Sequence, residues 1–189
     1  MENTSLTTDR LILKPITPAV IHDLYNTKTK EEIIQFFATD EAGYEHYLSM
    51  HKKGMESHNI SLHFFLLTDK ITGTPMGECG FHTLNKKHRR AELFYSLRND
   101  EYKQKGFMTE ALAPILAFGF HELNLHRIAA FVADWNTASV KLLEKYGFTK
   151  EGTMREDYCV DGKNEDSDCY SLLKTDAGNP VTLQASMPD

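Results

Sequence analysis

Between Tyr102 and Ala111 the chain reads Tyr-Lys-Gln-Lys-Gly-Phe-Met-Thr-Glu-Ala, a basic, amide-rich turn running directly into an apolar-periodic segment. Such a turn leaves the first backbone N–H groups of the following helix unpaired and adds the positive end of the helix dipole. Together these make a seat for a pyrophosphate, with Gly106 permitting close approach. A plain loop-to-helix turn looks the same, so the stretch alone leaves both readings open. Upstream, Glu78 and His82 stand four positions apart on a strand-like run. They point to one side if no bulge intervenes, where either could relay a proton through water. A solvated or satisfied histidine is the plainer reading of His82.

The elements that would hold these residues follow from periodicity. Arg10 to Ile16 has the composition of a short strand ended by Pro15, and Thr17 followed by Pro18 reads as a cap with proline at the first helical position. From Ile33 to Met55 apolar residues recur at helical intervals with a break near Thr39 and Asp40, which predicts two helices. Leu62 to Thr68, Pro75 to Leu84 and Arg89 to Leu97 are strand-like runs separated by turn sequences. Phe107 to Leu123 is helical, Arg127 to Ala133 extended, and Thr137 to Tyr146 helical with Gly147 as its stop. Met154 to Val160 and Asp166 to Leu173 flank Asp161-Gly-Lys-Asn164, a hairpin signal. An antiparallel meander followed by a strand, helix, strand unit implies an α/β (α+β) fold: a mixed sheet of about seven strands with a right-handed crossover and helices on both faces. Residues 1–174 are expected to form one domain and residues 175–189 a loose tail.

Composition narrows the function classes. A formal charge of −6 opposes phosphate neutralisation, so nucleic acid is not an expected partner, whereas an amine substrate suits that sign. Lys86 to Arg90 is the one basic cluster, and in a hairpin turn it could instead steer an anionic ligand. The longest apolar stretches fall short of the roughly 20 residues that span a bilayer, and the N-terminus shows no signal-type apolar run. No membrane partner is therefore expected. Cys79, Cys159 and Cys169 match neither a disulfide framework nor a zinc pattern, which points to a reducing cytoplasm and to no metal.

In sequence order, Tyr102 to Ala111 is similar to the acetyl-CoA loop of the GNAT N-acetyltransferases and the Thr-Glu-Ala that opens their next helix. Asn136-Thr-Ala-Ser139, Leu143-Glu-Lys-Tyr-Gly-Phe148 and Glu151-Gly152 continue the resemblance in register. Thr8-Asp-Arg-Leu-Ile-Leu13 and Ala91-Glu-Leu-Phe-Tyr-Ser-Leu97 resemble the branch that acetylates ribosomal-protein N-termini. The similarity covers about Thr7 to Lys174 and departs from the pattern at Lys103, Gln104 and Met108, where Arg or Gln and small residues are usual. Lys103 can still meet a phosphate as a point charge, while Gln104 and Met108 narrow the loop.

The resemblance implies acetyl-CoA as co-substrate. Lys103, Gln104, Lys105, Gly106, Phe107, Met108 and Thr109 would bind its diphosphate. The backbone of Tyr95, Ser96 and Leu97 would pair with its pantetheine arm where two parallel strands splay, and Asn136 and Ser139 would complete the contact. It also implies direct attack by a primary amine, which needs a base, a site for the developing oxyanion and an acid for the thiolate. Glu92, on the strand before the loop, is the candidate base; pairing with Arg89, Arg90 or a neighbouring strand is the alternative. Leu143 occupies the position of the family's usual tyrosine acid, which leaves Ser139 as substitute acid or as a first-turn hydroxyl satisfying backbone. Tyr146 is read as core. Lys141 and Lys145 are read as a solvated face or as further phosphate contacts.

The acceptor is read as a protein N-terminal α-amine, bound by a monomer or homodimer. The alternatives are a polyamine, aminoglycoside or amino acid, or a non-catalytic acyl-CoA-binding module. The helices of Ile33 to Met55 and the hairpin at Asp161 to Asn164 are expected to wall the amine cleft.

Overall fold

The computed structural model describes residues 4–176. Its frame is one mixed eight-stranded sheet in the order β1-β2-β3-β4-β5-β6-β8-β7. The strands are β1 (Leu6–Thr7), β2 (Leu11–Ile16), β3 (Ser61–Asp69), β4 (Pro75–Asn85), β5 (Arg90–Leu97), β6 (Arg127–Val132), β7 (Thr149–Val160) and β8 (Lys163–Leu173). All neighbours are antiparallel except β5 and β6. The strand beyond the expected seven is β1, too short to show a period of two in the sequence. The expected tail lies outside the described residues, apart from Thr175 and Asp176 in a turn after β8.

Five helices start where local chemistry starts them. α1 (Pro18–Thr27) is capped by Thr17 with Pro18 in its first turn. α2 (Lys30–Phe37) carries a full capping box between Thr29 and Glu32, and α3 (Glu41–Lys53) is capped by Asp40. The break between them is Ala38, in the left-handed region at φ 46°. α5 (Thr137–Lys145) is capped by Asn136 and followed by Gly147 at φ 77°. The exception is α4 (Phe107–His121), whose N-terminus has no side-chain cap.

Alternation along β3 shows that both sheet faces are covered. Phe65 and Leu67 belong to one core with Leu112, Ile115 and Leu116 of α4 and Leu143 of α5. Phe64 and Leu66 belong to another with Ile21 of α1, Ile33 and Phe37 of α2 and Tyr47 of α3. A strand buried on both faces reads as a continuous apolar run, as Leu62 to Leu67 does but for His63. α4 lies so close to β4 that a methyl group on Gly119 would stand 2.7 Å from the Phe81 ring.

The parallel pair is short. β5 and β6 pair only from Arg90 with Arg127 to Glu92 with Ala129, after which β5 continues to Leu97 without β6 beside it. The backbone of Leu93 to Leu97 is thus free of that ladder at the centre of the sheet, next to the start of α4. Unpaired main chain at a sheet centre is a place for an added strand-like ligand.

Candidate active site

The loop before α4 is exposed and set by two residues with positive φ, Gln104 at 59° and Gly106 at 80°. Gly106 is the N-cap of α4, and no side chain occupies the cap position. A Cβ at Gly106 would meet only Arg10 Nη2, at 3.6 Å, so the space in front of the helix end is open. Free amides, a helix dipole and an open approach are what an anionic diphosphate requires. Lys103 is ion-paired with Asp100 at 2.6 Å on the surface, and the Met108 side chain packs against the core behind the loop.

A clasp that the sequence reading missed fixes this loop. The Glu110 carboxylate accepts from Thr8 Oγ1 at 2.5 Å, from Arg10 N at 2.7 Å and from Arg10 Nε at 2.6 Å. The Arg10 guanidinium also donates to the Lys105 carbonyl at 3.0 Å and lies 4.3 Å from the centre of the Phe107 ring. Burial raises the Glu110 pKa, but the hydrogen bonds from Thr8 and Arg10 outweigh it and hold the carboxyl below its usual range. At the back of the same turn, Tyr146 donates to the Thr109 carbonyl, so this core tyrosine ties α5 to the first turn of α4. The signal for the clasp was present in the two motifs Thr8–Leu13 and Thr109–Ala111, but their contact spans about a hundred positions and no local period reveals it.

Glu92 lies on the sheet face toward α1–α3, opposite His82 in the β4–β5 register. Its partner is His82, with Nδ1 to Oε2 at 3.2 Å; Arg89, one alternative, donates instead to Asn124. The register is regular from Glu78 to His82, so these two residues share that face with Glu92. A depression of about 80 Å³ opens there, lined by Thr83, Arg90, Ala91, Glu92, Arg127, Ala129 and Phe131. Arg127, on its rim, forms a two-pronged ion pair with Glu151, which also accepts from Ser171 at 2.7 Å.

The opposite face of β5 carries the second half. The Tyr95 side chain packs toward the α4 and α5 core with its hydroxyl beside Ser139. Burial raises the Tyr95 phenol pKa, partly offset by the nearby Ser139 hydroxyl. Asn136 accepts from the Ser139 amide at 3.2 Å, so its carbonyl oxygen is committed to capping α5. Ser139 therefore has its backbone satisfied by Asn136 and its hydroxyl turned to Tyr95. The sequence had marked Tyr95 for its main chain alone. Ser96 and Leu97 lie on the unpaired part of β5, and Lys141 and Lys145 are exposed on α5.

Free main chain on β5 thus lies beside an uncapped helix end, with the Glu92 carboxylate on one face of the strand and the Tyr95 and Ser139 hydroxyls on the other. The sequence matches the family described as "Acetyltransferase (GNAT) domain" over residues 10–149. It is 31% identical over 179 residues, 89% of this chain and 96% of the relative, to "Uncharacterized N-acetyltransferase YoaA" of Bacillus subtilis (strain 168). The fold is similar to the ribosomal-protein-S5-alanine acetyltransferase of Vibrio fischeri, with TM-score 0.67, 23% identity and coverage of 92% of this chain and 98% of that one. It is equally similar to a dodecameric spermidine N-acetyltransferase from Vibrio cholerae, with TM-score 0.68, 23% identity and coverage of 92% and 99%. The chain belongs to the GNAT acetyltransferase family.

It is an N-acetyltransferase, of a family that uses acetyl-CoA and an amine acceptor, and the reading as a non-catalytic module is set aside. Among the described residues no helix is long and apolar enough to cross a membrane, and no group of three or more His, Cys, Asp or Glu could hold a metal ion.

Proposed function

We propose that this enzyme acetylates a protein N-terminal α-amine by direct attack, within one domain spanning residues 1–174. The observation that carries the reading is the end of β5–β6 pairing at Glu92 and Ala129. It leaves the β5 backbone open between a carboxylate on one face and Ser139 with Tyr95 on the other. Acetyl-CoA, when bound, supplies the activated acetyl thioester. Its holders would be the amides from Lys103 to Thr109, the main chain of Tyr95 to Leu97, and Asn136 and Ser139.

Glu92 takes the proton of the acceptor ammonium, directly or through one water, and becomes neutral, with His82 Nδ1 3.2 Å from its Oε2 as the neighbouring polar group that orients it. Ser139 returns a proton toward the leaving thiolate, and the Tyr95 hydroxyl orients it. An α-amine has a pKa of about 8, so only a modest proton affinity is asked of the base. Relatives named for ribosomal N-acetylation and for spermidine N(1)-acetylation both match this chain, over 54% and 49% of its length. A polyamine is therefore the second reading, favoured by Glu78 and Glu92 on the same face. Free Cys79, Cys159 and Cys169 support a cytoplasmic location.

Thiol release from acetyl-CoA is measured with peptides beginning Ser, Ala or Thr, with spermidine and with an aminoglycoside. Turnover of the peptides, reduced about a hundredfold or more in Glu92→Gln, is the expected result. Turnover of spermidine alone, or an unaffected Glu92→Gln, overturns the reading.

A further inference from the structure

On the acceptor face, beyond Glu92, lies a second polar group that the transfer chemistry does not use. Tyr47 of α3, itself buried, donates to Glu78 Oε2 at 2.6 Å and lies against the guanidinium of Arg98, the residue after β5. Arg98 is pinned at its backbone, where its N–H donates to the Met76 carbonyl at 2.9 Å. Yet its Nε and Nη2 atoms are buried with no hydrogen-bond partner among the described residues. Unpaired buried donors cost on the order of 1–3 kcal/mol each, more when charged, and native chains rarely leave them so without a ligand or water to fill the deficit.

The chemistry of those two atoms restricts the ligand. Guanidinium nitrogens only donate, so the missing partner carries acceptor oxygens. Nε and Nη2 share one edge of the guanidinium plane, the edge that grips a carboxylate or carbonyl with two parallel bonds. A polyamine offers ammonium donors and nothing that this edge can hold. The position restricts it further. Glu78 pairs with Ser96, four positions along β5 from Glu92. At the strand rise this is about 13 Å, the length of roughly four extended peptide residues. The contact of Arg98 with Tyr47 of α3 puts its head on the same sheet face as Glu92.

We propose that Arg98, braced by Tyr47, binds an oxygen of the acceptor on its free edge and so selects peptide-like amines, with carbonyl or carboxylate groups beyond the reacting nitrogen, over polyamines. The inference rests on the N-acetyltransferase reading of this face and names its substrate class. The tetrapeptide Ser-Ala-Ala-Ala and spermidine are titrated calorimetrically into the full chain, with and without saturating coenzyme A, for the wild type, Arg98→Gln and Arg98→Lys. The peptide should bind the wild type and lose about tenfold or more in Arg98→Gln, as expected for one two-pronged charged contact. Spermidine should be unchanged, and Arg98→Lys should stay weak because a point charge does not replace the fork. Should Arg98→Gln not fold, as judged by its melting curve, Tyr47→Phe removes the brace and should lower peptide affinity selectively.

An unaltered peptide affinity, or equal losses for both amines, overturns the proposal, as does a wild type that does not bind the peptide. Weakened acetyl-CoA binding in Arg98→Gln would assign the edge to the co-substrate's oxygens and likewise refute it. Failure of the wild type to bind coenzyme A at all would instead strike the transferase reading, so the two failures are told apart.

Discussion

Glu110→Gln tests whether the clasp at the loop matters to the co-substrate or only to the fold. Glu110 receives three donors, from Thr8 Oγ1, Arg10 N and Arg10 Nε, all within 2.7 Å. Glutamine keeps one acceptor oxygen, which can serve Arg10 N or Thr8, and turns an NH₂ group against Arg10 Nε. The loss is one charge-assisted hydrogen bond, about 1.5–3 kcal/mol where shielded. The Arg10 side chain is 46% exposed and that of Glu110 17%, so screening brings the figure to about 1 kcal/mol. For a chain of this size that lowers the melting temperature by about 2–4 °C. Arg10, once released, no longer holds the Lys105 carbonyl or covers Phe107. If those contacts set the loop for the diphosphate, the same 1 kcal/mol appears as an approximately fivefold rise in the Kd and KM for acetyl-CoA. Because Glu92 and Ser139 are untouched, kcat should hold. Calorimetry with coenzyme A and thiol-release kinetics read both quantities. A lower melting temperature with unchanged acetyl-CoA affinity would refute the loop argument and leave the clasp a purely structural feature, and a fall in kcat at constant KM would refute it too.

Gly106→Ala should cost about 1–2 kcal/mol in stability, from the left-handed φ alone, because its Cβ meets nothing closer than 3.6 Å. Gly106→Glu should in addition abolish acetyl-CoA binding by calorimetry, since it sets a carboxylate before the free helix amides. Ser139→Ala should lower kcat about a hundredfold, beyond any rise in the KM for acetyl-CoA from the lost contact. Tyr95→Phe should lower it less and add nothing in the Ser139→Ala background; a full additional loss in the double variant would show that Tyr95 acts independently. Stability in urea should fall as pH drops from about 5 toward 2. Over that window the unfolded carboxylates take up protons, while Glu151, lowered to about 2 by its bonds from Arg127 and Ser171, keeps its charge in the fold over most of it, and Asp168, lowered by Lys150 and Thr153, takes up its proton later than in the unfolded chain. Glu151→Gln should flatten that slope, and an unchanged slope would remove Glu151 from the account.

Local chemistry made most elements legible. The cap at Thr17 and the stop at Gly147 act over a few residues and stand where the sequence places them, while the last hairpin turns more tightly than expected, at Asp161 and Gly162, with Lys163 and Asn164 already paired to Val160 and Cys159. The turn before α4 was legible for the same reason: Gly106 and a helix start are neighbours in the chain.

What the sequence determined by itself is therefore the order of elements, the loop before α4 and membership in the family. Only the tertiary structure decided which side chains meet. Arg10 with Glu110, Tyr47 with Glu78 and Arg127 with Glu151 are pairs made by strand register and helix packing across the sheet. Their contacts depend on loop closures of tens of residues, and a hydrophobic pattern specifies which face is buried but not which polar groups on that face come within 3 Å.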